Sequence, residues 1–155
     1  MLSTTSEYAL RALALLARAP RGHSLLGREL AQSAEIPPQY LSKIMLALRN
    51  AGLVTAVRGS GGGYSLLRPA DAIYLSDVVQ LFDGPAGRSM CLMGPSRECS
   101  EKHPCSAHAS WANVRDAYLQ FLEGTTLEQI SAEGPHESQV TPASRKAQRK
   151  ATLAV

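Results

Sequence analysis

What this chain lacks narrows it first. It has no uninterrupted apolar run approaching the ~20 residues of a membrane-spanning helix, so no membrane partner is expected. The opening stretch MLSTTSEYALRALALLARAP carries Glu7, Arg11 and Arg18. Those charges interrupt the apolar segment a secretory leader requires, and a cytoplasmic location is expected. Aromatic residues are only 5% against 45% hydrophobic overall, so the core has to be packed mostly from Leu, Ala, Val and Ile. Cysteines number three. They cannot all pair within one chain, and disulfides do not persist in the cytosol. Ser, His and acidic residues fall into no supported nucleophile–base grouping, so neither an enzyme nor a small-molecule substrate is expected.

A strong charge of one sign is also missing: the net charge is +3 over 155 residues. Its distribution says more. Residues 1–80 carry eight Lys/Arg against five Asp/Glu, residues 81–132 four against six, and residues 133–155 four against two. A mildly basic front half suits a polyanionic partner, although ordinary solvated surface would look the same.

Helical periodicity is clear in the front half. Thr4 and Glu7 have capping-box spacing, and Ala9, Ala12, Leu13 and Leu16 follow at one helical face until Pro20. Leu26, Leu30, Ala31 and Ala34 predict a second, short helix ending before Ile36-Pro37. Pro38 suits the first turn of a third, with Leu41, Ile44, Met45 and Leu48 as its buried stripe and Gly52 as its stop. The runs LVTAV (53–57) and YSLL (64–67), joined by RGSGGG (58–63), predict a hairpin. Three helices and a hairpin make a winged helix-turn-helix. A fourth helix is expected from Ser76 to about Phe82, with Leu75, Val78, Val79 and Phe82 on one face.

In such a fold the N-terminal part of the second helix of the motif enters the major groove. Here its outward side chains are Gln39, Tyr40, Ser42 and Lys43, groups able to meet base edges or phosphate. Any amphipathic helix has a polar face, so the hairpin adds weight. Arg58, with Gly59, Ser60 and Gly61 after it, suits a wing lying in a narrow, electronegative minor groove. A nucleotide-binding glycine loop would have to open a helix, whereas this one runs into YSLL and Arg68-Pro69.

All three cysteines lie between residues 91 and 105, in the pattern Cys91-x7-Cys99-x5-Cys105-x2-His108. Structural zinc sites build on tight C-x2–4-C pairs, and none is present. Wider gaps suit a larger inorganic core such as an iron–sulfur cluster, in which histidine can replace one thiolate. His108 is the fourth-ligand candidate ahead of His103, which Pro104 follows. From Asp83 to about Ala107 nothing is periodic, and a loop that long calls for a function or a staple. Beyond it, Trp111, Val114, Tyr118 and Phe121 recur at intervals of three and four. This narrow seam suits packing on a second copy, with packing on its own domain as the alternative. Thr125 and Glu128 are spaced to cap one more short helix, ending at Ser131.

The expected architecture is mainly α with a small β-hairpin wing, a winged helix-turn-helix plus a long dimerisation helix. Its divisions are a DNA-binding domain (1–82), a cysteine-rich cluster-binding loop (83–107), a dimerisation helix with a short C-terminal helix (108–132) and a disordered tail (133–155). The tail's Arg145, Lys146, Arg149 and Lys150 suit a solvated surface, with nonspecific DNA contact as the alternative.

EYALRAL (7–13), LSKIMLALRNAGLVTAVRGSGGGYSLLRP (41–69), the cysteine loop and LEGTTLEQI (122–130) together resemble the Rrf-type family of bacterial winged-helix regulators, which includes IscR, NsrR and RirA. The resemblance implies a homodimer joined along the long helix, a roughly palindromic double-stranded operator, and DNA affinity set by an iron–sulfur cluster. By position, Cys91, Cys99 and Cys105 match the ligating cysteines, and His108 matches the histidine of a 2Fe–2S site, expected here ahead of 4Fe–4S. In the nitric-oxide-sensing branch an acidic residue on the first helix of the other subunit serves instead, and Glu7 has the matching place. Arg58 matches the wing arginine. Two departures stand out: the first cysteine gap is seven residues where IscR has five, and Ser42 replaces an acidic residue. The alternatives are a cluster-free regulator using thiol oxidation or zinc, and a partner-binding module that regulates a metabolic enzyme.

Overall fold

The computed structural model describes residues 2–20, 22–57, 59, 62–84 and 102–132. Helices α1 (Thr4–Arg18), α2 (Gly27–Ser33) and α3 (Pro38–Asn50) precede strands β1 (Val54–Val57) and β2 (Gly63–Leu66). A single 3-10 turn (Ala70–Ala72) leads to α4 (Leu75–Asp83), and α5 (His108–Gly124) and α6 (Leu127–Ser131) complete the order. This is the winged helix expected from the sequence. No helix among the described residues is long and apolar enough to cross a membrane.

The predicted stripes are the core. Ala9, Ala12, Leu13 and Leu16 of α1 pack with Leu30 and Ala31 of α2 and with Leu41, Ile44, Met45 and Leu48 of α3. The small alanines let α1 run centrally, against α2, α3, α4 and α6. Leu127 of α6 is fully buried in that same cluster, and the Arg18 Nε donates to the Ser131 carbonyl at 2.9 Å, so the last helix closes the first one's core. A smaller cluster of Leu75, Val79 and Leu122 joins α4 to α5.

Both helix caps sit one residue from their predicted places, and only that of α6 is a reciprocal capping box. Ser3, not Thr4, caps α1 by accepting from the Ser6 N–H at 3.2 Å. Thr126, not Thr125, caps α6, and the Gln129 side chain accepts from the Thr126 N–H at 2.8 Å. In each case the hydroxyl in the extended residue directly before the first helical turn reaches the helix's unpaired N–H groups. Ser3 does more: its N–H donates to Asp83 at 3.2 Å and its hydroxyl bonds the same carboxylate. The start of α1 is thereby tied to the end of α4.

The hairpin register is Val54↔Leu66, Thr55↔Ser65, Ala56↔Tyr64 and Val57↔Gly63. Its third edge was not foreseen. Leu25, just before α2, pairs with Tyr64 through two backbone bonds of 2.9 Å, which fastens the wing strand to the helix-turn-helix.

Helices α2 and α3 end alike, each with the paired 6→1 and 5→2 carbonyl contacts of a Schellman motif. After α3 the left-handed position is filled by Gly52 at φ 71; after α2 it is filled by Glu35 at φ 55. A side chain there costs about 1–2 kcal/mol, partly offset by glycine's greater freedom in the unfolded chain. Glu35→Gly should therefore stabilise the fold by about 0.5–1 kcal/mol, read as a higher midpoint in thermal or urea unfolding. An unchanged or lower midpoint would show that the Glu35 side chain contributes more than its backbone costs.

Candidate nucleic-acid interface and cysteine site

On α3 the apolar face is buried, and Gln39, Tyr40, Ser42 and Lys43 are exposed, as amphipathic spacing dictates. Gln39, Lys43 and Leu46 fall on one stripe at i, i+4 and i+7. Leu46 is 51% exposed, an apolar group in line with the polar ones that suits contact with a thymine methyl; sequence reasoning passed over it. The Ser42 hydroxyl donates to the Pro38 carbonyl at 3.1 Å, so toward a partner it presents lone pairs. Tyr40 leans back on α1, its ring edge-on to Tyr8 with centroids 6.5 Å apart. The Arg11 guanidinium lies 5.8 Å from the Tyr8 centroid, extending the stack. This support for Tyr40 was missed as well, and the only signal was the i, i+3 spacing of Tyr8 and Arg11.

At the wing, Gly59 is exposed at φ 110 and its carbonyl accepts from the Gly62 N–H at 2.9 Å. This turn tolerates glycine far better than any side chain. Arg58, Ser60 and Gly61 lie outside the described residues.

Of the metal-ligand candidates, Cys105 and His108 are described and both are half-buried. The His108 N–H donates to the Cys105 carbonyl at 2.9 Å, so the two residues share one turn of backbone at the start of α5. Cys91 and Cys99 lie outside the described residues. Glu7, the alternative fourth ligand, is exposed on α1.

The seam residues of α5 divide. Leu122 is the helix's buried residue, with Tyr118 packed beside it on Leu75 and Val79. Val114 and Phe121 are 57% and 53% exposed, and Trp111 is half-buried. Burial pushes the Tyr118 phenol above its ordinary pKa, and the Asp83 carboxylate adds to the shift. The hydroxyl is shielded from solvent.

The winged helix and its exposed α3 stripe place the chain among DNA-binding folds, and comparison with known proteins decides which. The family model described as "Rrf2: Iron-dependent Transcriptional regulator" matches residues 2–133. The chain belongs to the Rrf2 family. It is similar to a protein described only as an HTH-type transcriptional regulator of Aquifex aeolicus, at 36% identity over 84% of this chain and 90% of that one. It is also similar to the transcriptional regulator IscR of Cereibacter sphaeroides, at 35% identity over 83% and 85%. Among solved structures, the global cysteine regulator CymR of Bacillus subtilis superposes with a TM-score of 0.71 at 30% identity, covering 85% of this chain and 96% of that one. An Rrf2-family chain is a transcriptional regulator, and DNA is the partner that membership implies.

Proposed function

We propose that this Rrf2-family regulator binds a roughly palindromic operator as a homodimer and that an iron–sulfur cluster sets its DNA affinity. The observation that carries the cluster reading is the Cys105–His108 turn: a backbone bond of 2.9 Å holds the two residues one turn apart, both half-buried, at the root of α5. The backbone turn keeps a thiol and an imidazole three positions apart in the chain, and both are donor types that a 2Fe–2S centre accepts. Cys91 and Cys99 complete the set in sequence, with Glu7 of a second subunit as the alternative to His108. Bound there, the cluster supplies chemistry that responds to iron–sulfur supply, redox state or nitric oxide. Of the chain itself, α3 and the wing, with Arg58, Gly59, Ser60 and Gly61, serve as the DNA-reading elements. The proposed divisions follow the sequence boundaries: 1–82 for DNA, 83–107 for the cluster and 108–132 for dimerisation; the tail expected at 133–155 lies outside the described residues.

The test is anaerobic purification followed by the visible spectrum with iron and acid-labile sulfide counts. A coloured protein with matched iron and sulfide is expected, near two of each per chain for a 2Fe–2S site. A colourless protein that resists anaerobic reconstitution would overturn the cluster reading and leave DNA binding intact. The second reading would then hold, a regulator working through thiol oxidation or zinc. The 30% identity to CymR, described as a global cysteine regulator, shows that the chain's likeness is not to IscR alone.

The dimer reading rests on α5, where Val114 and Phe121 are more than half exposed. Reading two half-sites also requires two reading heads. Phe121→Asp should leave a folded monomer, because the side chain contributes little to its own subunit's core. The dimer dissociation constant should rise by about 100-fold or more. An unchanged mass in size-exclusion with light scattering would assign the interface elsewhere.

A further inference from the structure

Between α2, the start of α3 and β2 lies a groove of about 470 Å3, lined in part by Gly27, Arg28, Gln32, Pro38, Ser42 and Tyr64. Pro38 and Ser42 belong to the first turns of α3, where Gln39 and Lys43 are exposed. The groove therefore continues the reading face. Its other wall is α2, whose Arg28 is exposed. Arg28 enters no ion pair or hydrogen bond among the described residues. The neighbouring carboxylate does not neutralise it, because Glu29 turns back to accept from the Leu26 N–H at 3.4 Å. Gln32 follows one helical turn after Arg28 on the same side of α2. The walls are held in place: a Cβ on Gly27 would sit 3.4 Å from the Tyr64 ring, and Tyr64 is fixed by its backbone pairing with Leu25.

We infer that this groove seats a phosphodiester strand of the DNA duplex, with Arg28 as its phosphate contact and Gln32 as a neighbouring amide donor. The inference rests on the DNA-binding reading and extends it to residues outside α3 and the wing. A guanidinium presents a planar fork that fits two phosphate oxygens. Ser42 is the less suitable donor, because its hydroxyl hydrogen is committed to Pro38. Contacts of this kind fix the protein's register on the duplex and carry no sequence information. Arg28 is therefore a positioning residue, unlike Gln39 or Lys43 on α3.

The experiment uses the full chain and a mixed-sequence duplex of about 30 base pairs, so no operator need be known. Fluorescence anisotropy is read from about 50 to about 300 mM KCl, a range over which phosphate contacts show as counterion release. Arg28→Ala should weaken binding on the order of tenfold at the low-salt end. The slope of log K against log salt should fall in magnitude by about 0.9 for each protomer bound. Arg28→Lys should keep the wild-type slope. A wild-type slope in Arg28→Ala overturns the inference, whether or not affinity falls, since loss without a slope change is a packing effect. A wild-type protein that binds no duplex at low salt overturns the DNA-binding reading itself.

Discussion

Gly63→Ala should cost about 3 kcal/mol of stability and lower the melting temperature by on the order of 10 °C. The reason is backbone, not flexibility. A Cβ built on Gly63 would stand 2.4 Å from the Leu25 carbonyl oxygen and 2.7 Å from its carbon, with the Leu26 nitrogen at 3.2 Å. None of these atoms can rotate away as a side chain could. The strand must move, and in moving it loses the two 2.9 Å bonds between Leu25 and Tyr64. That pairing is the link between the wing and the helix-turn-helix, so DNA affinity should fall in protein that remains folded. Gly124→Ala is the control, since a Cβ there meets nothing within 4 Å and the backbone is not left-handed. It should be neutral or slightly stabilising, because alanine is the better helix former. Equal melting temperatures for the two variants would show that the Leu25–Tyr64 edge yields without cost.

The second large effect is expected at Cys105→Ala: iron and sulfide fall to background while the chain stays folded and dimeric. Cys105 is half-buried and precedes α5, so removing its sulfur opens no core cavity, and stability should change by less than about 1 kcal/mol. A three-donor remnant of Cys91, Cys99 and His108 would hold a cluster weakly, and reconstitution should fail or bleach quickly in air. His108→Ala should be milder, because Glu7 of a partner subunit offers an alternative. An unaltered visible spectrum in Cys105→Ala would sink the ligand assignment. A colourless Cys105→Ala protein that has also lost its secondary structure by circular dichroism would overturn the claim that Cys105 is dispensable for folding.

Local signals in the sequence carried over to the fold because they are governed by local physics. The α1–α3 stripes, Pro38 at the first turn of α3 and Gly52 at φ 71 each follow from periodicity or from one residue's backbone preference. Contacts between distant segments were not legible. Nothing near Gly63 announces Leu25, 38 positions earlier, so a glycine that is required for packing looked like part of the hairpin connection. Ser3 and Asp83 are 80 positions apart, and their bond could not be read from either neighbourhood. At the proposed DNA interface the polar stripe of α3 was legible, but Arg28 belongs to a groove formed only when α2, α3 and β2 meet. The cysteine pattern is a property of the sequence itself, and the structure adds the Cys105–His108 turn to it.

The burial of Leu127 against α1 also has a consequence for the order of synthesis. The residue that completes the first helix's core is made 109 positions after that helix ends at Arg18. On a ribosome the chain emerges from its N-terminus, so residues 84–126 are all translated before α6 can dock. The core around α1 therefore stays open on one side until the last described helix has been made. A chain shortened before Leu127 would leave that first-helix core uncovered.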